Sequence, residues 1–202
     1  MGVRHNRVLD AASLPGLAHP LRVQLLEQLT QYGPATATQL GARLHESSGA
    51  TSYHLRQLER YGFVEEDPDR GSGRERWWRR VPGGLRINTP ELSEDAATKE
   101  ATQLVVNEFN RGRLRRVEQW YSTFPNWPRE WQDASSQGSY TMRLTAPELD
   151  QLANEVDEVV MRWKELAGGR RRDATAADDD QYRQVEVQMI AFPLPDPDQP
   201  AD

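Results

Sequence analysis

The sequence predicts an α+β chain: a mainly helical first domain closed by a β-hairpin, then a long helix, then a small strand-helix-strand unit. Three observations carry this. Apolar residues recur at helical spacing in three successive stretches between Leu17 and Arg60, and a Gly-rich turn near residue 70 separates two strand-like stretches. After Pro90 a helical apolar pattern continues for about thirty residues. The divisions implied are 1–88, 89–125 and 126–193, followed by a Pro- and Asp-rich tail, 194–202, expected to be disordered.

In the first domain Leu21, Leu25, Leu26 and Leu29 share a helix face, and Pro20 sits where a first helical turn tolerates it. Past Gly33 and Pro34, residues Ala37, Leu40 and Leu44 mark a short second helix. His45 to Ser47 make a tight turn, and Ser47 caps a third helix by accepting a backbone N–H bond. Thr51, Leu55 and Leu58, at i, i+4 and i+7, turn inward. The outward face then presents Ser48, Gly49, Ser52, Tyr53 and Arg56. Strands over Phe63–Asp67 and Glu75–Val81 flank the tip Pro68–Arg74, and Arg70, Arg74 and Arg76 arm this hairpin. Trp77 and Trp78 alternate across the second strand, so one is core and the other exposed or paired.

Charge supports a polyanionic partner for this part. Residues 1–90 hold 12 Arg against 9 acids, +3, and the remainder holds 13 cations against 22 acids, −9, which gives the net −6. A helix entering a major groove by its N-terminus needs small residues for close approach, hydroxyls for phosphates and Arg for guanine. A basic hairpin beside it reads as a wing.

Four segments in this order resemble the ArsR-like family of bacterial winged helix-turn-helix transcription regulators: Leu17-Ala18-His19-Pro20-Leu21-Arg22, Ser52-Tyr53-His54-Leu55-Arg56-Gln57-Leu58, Gly62-Phe63-Val64 and Gly73-Arg74-Glu75-Arg76. The similarity covers about residues 8–85. It implies double-stranded DNA as the partner, a palindromic operator bound by a homodimer, and repression as the usual outcome. Thr51 departs from the Val frequent in such proteins and should loosen the core contact slightly. The second helix lacks the cysteine pair of the metal-sensing members, which excludes arsenic or cadmium sensing by that route.

Two residues keep two readings each. Arg22 either touches a phosphate or pairs with Glu27 or Glu59, and His54 either contacts DNA or is packed and hydrogen-bonded at the domain edge. His5, His19 and His45 show no ligand spacing with His54 or a carboxylate, so neither a metal nor a cofactor is expected. The absence of cysteine removes disulfides, thiolate metal sites and cysteine nucleophiles together. Gly71-Ser72-Gly73 is a hairpin tip rather than a strand-to-helix elbow, and there is no HExxH or P-loop, so no catalytic residue is assigned. No apolar run approaches a membrane span and no export signal is visible, which makes a cytoplasmic location the expectation. Lys99 and Lys164 are the only lysines, a bias suited to a GC-rich genome.

In the second half Thr89 caps a helix starting at Pro90, and Ala97, Ala101, Leu104, Val105, Phe109, Leu114, Val117, Trp120, Tyr121 and Phe124 keep near-helical spacing. At about 1.5 Å per residue this is a rod of roughly 45 Å. One small domain is too small to cover it, so it is assigned to dimerisation, with Gly112 marking a kink or a close crossing. Tyr140, Met142 and Leu144 alternate as in a strand, and Thr145–Glu148 is a capping box. Leu149, Leu152, Val156, Val159, Trp163 and Leu166 form one stripe of the next helix, which Gly168-Gly169 should stop. Val185, Val187 and Met189 alternate in a last strand. So small a unit buries little alone and must lean on the long helix or a partner subunit.

Trp120, Tyr121, Phe124, Trp127 and Trp131, with Trp163, form the densest aromatic group. They serve either as glue between elements or as the wall of an effector pocket for an apolar organic compound. The leading function is a dimeric DNA-binding regulator modulated through its C-terminal region by an organic ligand or a protein. The alternative is an adaptor that uses the winged helix and acidic half to hold another protein.

Overall fold

A computed structural model describes residues 7–68, 70, 75–87, 92, 96–173 and 182–195, in two units, Met1–Asn126 and Trp127–Asp202. The first unit runs β1 (Arg7–Leu9), α1 (Pro20–Tyr32), β2 (Ala35–Thr36), α2 (Ala37–Leu44), α3 (Ser48–Arg60), β3 (Val64–Glu66), β4 (Trp77–Arg80), β5 (Leu85–Ile87) and α4 (Ala96–Thr123). Single 3-10 turns, Leu14–Gly16 and Phe124–Asn126, precede α1 and follow α4. The order of helices and hairpin expected from the sequence is met, and the class is α+β.

Local chemistry sets the helix boundaries. Pro20 opens α1, and the His19 ring accepts at Nδ1 from the Leu21 N–H, 3.1 Å away. Thr36 and Gln39 form a reciprocal capping box at the start of α2, which satisfies two orphan donors at once. His45 ends α2 in the left-handed region, φ 58°, and Ser47 accepts from the Ala50 N–H to start α3. Gly41 lets the two helices cross closely, since a Cβ there would meet the Glu46 carbonyl oxygen at 2.7 Å.

One core unites these elements: Leu17, Val23, Leu25, Leu40, Leu55 and Leu58 are fully enclosed, with Leu21, Leu26, Leu29, Phe63, Val64 and Trp78 around them. Thr51 is also fully buried. Its hydroxyl donates to the Ser47 carbonyl at 2.9 Å, so the polar atom that replaces a methyl here is satisfied locally. Two small sheets close the unit. β2, β4 and β3 are antiparallel in that order, with Val64 opposite Arg80 and Ala35 opposite Trp78, whereas β1 pairs parallel to β5.

The long helix does not stand clear of the domain. Along α4 the buried residues Thr102, Val105 and Glu108, with Phe109, pack toward the core, and Gln24 donates to Glu108 at 2.8 Å. Arg116 pairs with Glu27 of α1 at 2.9 Å, so the Glu27 partner considered for Arg22 is already taken. Gly112 marks a close crossing, because a Cβ there would meet the Glu27 carboxylate at 2.5 Å. Only beyond it does α4 expose apolar side chains in succession: Leu114, Val117 and Tyr121. The start expected at Thr89 and Pro90 lies outside the described residues.

The second unit contains α5 (Arg129–Ala134) and α6 (Ala146–Asp173). The expected capping box holds, with Thr145 N–H and hydroxyl donating to Glu148 Oε2 at 2.7 Å. Two expectations are corrected. Gly168-Gly169 does not end the helix, which continues to Asp173, because a glycine costs only about 1 kcal/mol inside a helix and does not forbid it. The alternating stretches Tyr140–Leu144 and Val185–Met189 belong to no strand, since neither has a ladder partner within the described residues. Alternation reports which side chains share a face, and a strand also needs a neighbour to take its backbone groups.

Candidate nucleic-acid interface

The outward face of α3 is open. Ser48 and Gly49 are exposed, nothing lies within 4 Å of where a Gly49 Cβ would be, and Tyr53 is 58% exposed. Ser48, Ser52 and Arg56 line a cleft of about 330 Å³ with Thr36 and Thr38 at the start of α2 and Glu75, Arg76 and Trp78 of the hairpin. Four residues assigned from the sequence therefore come together. Thr36, Thr38 and Glu75 were not assigned. The Thr36-x-x-Gln39 capping signature would have placed the start of α2, and with it Thr38, at this edge.

Three of the described hairpin cations, Arg70, Arg76 and Arg79, are paired. Arg76 lies 3.7 Å from Glu66, Arg70 lies 3.8 Å from Asp67 and over the Trp77 ring, and Arg79 takes Glu65 at 2.8 Å. Arg70 and Arg76 are more than half exposed; the Arg76–Glu66 pair is exposed on both sides and contributes only about 0–1 kcal/mol, so a phosphate can displace Glu66 at small cost, whereas the Asp67 that Arg70 meets is buried. Trp78 is core and Trp77 is covered in part by Arg70, as their alternation predicts. Arg74 lies outside the described residues.

His54 sits apart from the cleft in a second group. Its ring packs 4.3 Å from that of His19 and edge-on to Tyr53 at 5.1 Å. The ring is part-buried, and its Nδ1 is buried with no hydrogen-bond partner in the structure. Burial, followed by the neighbouring His19 and Arg22, holds the His54 pKa below its usual value, and burial with Arg22 does the same to His19. Arg22 is part-buried, its Nε lacks a hydrogen-bond partner, and burial lowers its pKa. No salt bridge joins it to Glu59 among the described residues.

A family model described as a helix-turn-helix domain matches residues 17–67, the stretch from Leu17 through α3 to the first hairpin strand. Residues 17–67 are a helix-turn-helix domain. The hairpin of β3 and β4 beside α3 supplies the wing. Among solved structures the chain is similar to reduced HlyU from Vibrio cholerae, 23% identical over 47% of this chain and 83% of that one, with a TM-score of 0.31. RV1404 from Mycobacterium tuberculosis is 18% identical over 54% and 69%, TM-score 0.32, and disulfide-formed AbfR is 18% identical over 54% and 70%, TM-score 0.27. No curated protein matches the chain. With overlaps this low, the assignment rests on the domain match and the geometry of α1 to β4.

The aromatic group is divided between the units. Trp120 and Phe124, edge to face at 5.1 Å, and the exposed Tyr121 belong to the first, whereas Trp127, Trp131 and Trp163 belong to the second, where Trp163 is 58% exposed. No described helix is long and apolar enough to cross a membrane.

Proposed function

We propose that this chain is a DNA-binding transcription regulator of the ArsR-like kind, a repressor that binds a palindromic operator as a homodimer. One observation carries the reading: Ser48, Ser52 and Arg56 of α3 meet Arg76 of the wing in one open cleft, hydroxyls and cations together, with nothing filling the space in front of Gly49. Ser48, Ser52, Tyr53 and Arg56 enter the major groove and Arg70, Arg74 and Arg76 follow the adjacent backbone. Arg22 and His54, next to Tyr53, reach the flanking phosphates.

Selection of bound sequences from a random duplex pool, repeated with Arg56→Ala, tests this. The wild-type chain should enrich an inverted repeat. Arg56→Ala should lose about 1–3 kcal/mol and relax one position in each half-site. Enrichment of no sequence would overturn the reading.

The exposed Leu114, Val117 and Tyr121, at i, i+3 and i+7 of α4, support pairing of two copies along that helix. Val117→Glu should raise the dimer dissociation constant in sedimentation. We further propose that the region after residue 89 answers to an organic compound or a protein rather than a metal, which the lack of cysteine supports. An organic effector that changes operator affinity must itself bind with an affinity that operator DNA changes by the same factor, and Trp120, Trp127, Trp131 or Trp163 emission offers the readout.

A further inference from the structure

The stripe along α6 has a stricter period than a surface helix requires. Leu149, Val156 and Trp163 are seven residues apart, and so are Leu152, Val159 and Leu166, offset by three. That is an a/d heptad seam, the pattern that keeps one helix facing another along its length. Leu149, Leu152 and Val156 are part-buried, whereas Val159, Trp163 and Leu166 are 45%, 58% and 52% exposed, so the described residues of this unit leave half the seam uncovered.

We propose that α6 pairs antiparallel with α6 of a second copy of this chain, as a two-fold symmetric coiled coil with this seam. This goes beyond the α4 contact and does not depend on DNA binding. Two arguments choose the occupant. The first is continuity: Val159, Trp163 and Leu166 follow one another as exposed large apolar side chains on this one seam, and the part-buried Leu149, Leu152 and Val156 continue it. A two-fold pair covers the same face of both copies at once.

The second argument is charge. From Glu148 to Glu158 the helix carries five acids and no cation, and Arg162 and Lys164 follow. A parallel pair would set acid against acid. An antiparallel pair aligns Leu149 with Leu166 and Val156 with Val159 of the other copy. That register brings the exposed Glu155, which flanks the seam, level with Arg162 of the second copy, and two-fold symmetry makes the pair twice. The opposite flank, Ala153 and Val160, is apolar and meets its own kind.

The full chain has no cysteine, which makes cross-linking unambiguous. Under mild oxidation Leu149→Cys and Leu166→Cys should each remain unlinked, and the double variant should form a covalent dimer, because the two positions lie about 25 Å apart along one helix and meet only between copies. Sedimentation of charge variants gives a second readout that leaves the seam intact. R162E should raise the dimer dissociation constant several-fold by setting carboxylate against carboxylate, and E155R added to it should restore the wild-type value. Linkage of Leu149→Cys alone, no linkage of the double variant, or charge variants indistinguishable from wild type would each overturn the proposal.

Discussion

The two units solve the problem of apolar surface in opposite ways. The first encloses Leu9, Leu14, Leu17, Val23, Leu25, Leu40, Leu55, Leu58 and Val105 almost completely, through three short helices and a hairpin whose ends are capped. Among the described residues of the second none is buried, although α6 is as long as α4 and its apolar stripe is cleaner. Periodicity alone therefore does not make a core. A helix face contributes stability only when another surface removes it from water, at about 25 cal/mol per Å².

The sharpest break of this comparison is a matched pair of truncations. Leu55→Ala should destabilise the first unit by about 2–5 kcal/mol, because its site is closed on all sides and leaves a cavity. Val187→Ala, at a side chain 65% exposed in the second unit, should fall within about 0.5 kcal/mol at concentrations where the chain is monomeric. Urea melts of both variants decide this, and a large cost for Val187→Ala would mean that the second unit has a core of its own.

A smaller effect is expected where the first unit depends on close approach. Gly41→Val should cost about 1–3 kcal/mol, since its side chain would strike the Glu46 carbonyl and push α2 from α3. Operator affinity should fall with it if that crossing sets the cleft, and unchanged affinity in the folded variant would separate the cleft from the crossing. Arg76→Ala should reduce the salt dependence of DNA binding by about one counterion. An unchanged slope in salt titrations would remove Arg76 from the interface.

The smallest effect is on pH. The His19 and His54 pKa values are lowered in the folded chain by burial and neighbouring cations, so below about pH 6.5 the unfolded chain takes up protons that the folded one refuses. Stability is thus present above that pH and lost as pH falls toward the depressed folded values. Glu27 has the opposite sign: burial raises its pKa despite Arg116, which favours folding at more acidic pH. Thermal melts between pH 7.5 and 5.5 should show Tm falling, and His54→Gln should flatten the fall. A slope that the substitution leaves unchanged would assign it to other groups.

By itself the sequence determined the three-helix and hairpin plan of the first unit, because caps, a tight turn and 3.6-residue periodicity are local signals that each act within a few residues. It also determined which α3 residues face outward, since Thr51, Leu55 and Leu58 fix the inward side. The tertiary structure alone decided the rest. Pairing of β1 with β5 joins residues nearly eighty positions apart through strands of three residues each, too short to show alternation. The seat of α4 on α1 depends on Gln24, Glu27, Glu108 and Arg116, polar residues that an apolar pattern passes over. The two alternating stretches flanking α6 failed as strands for a physical reason: a strand is defined by the partner that takes its hydrogen bonds, and a single chain's pattern does not supply one.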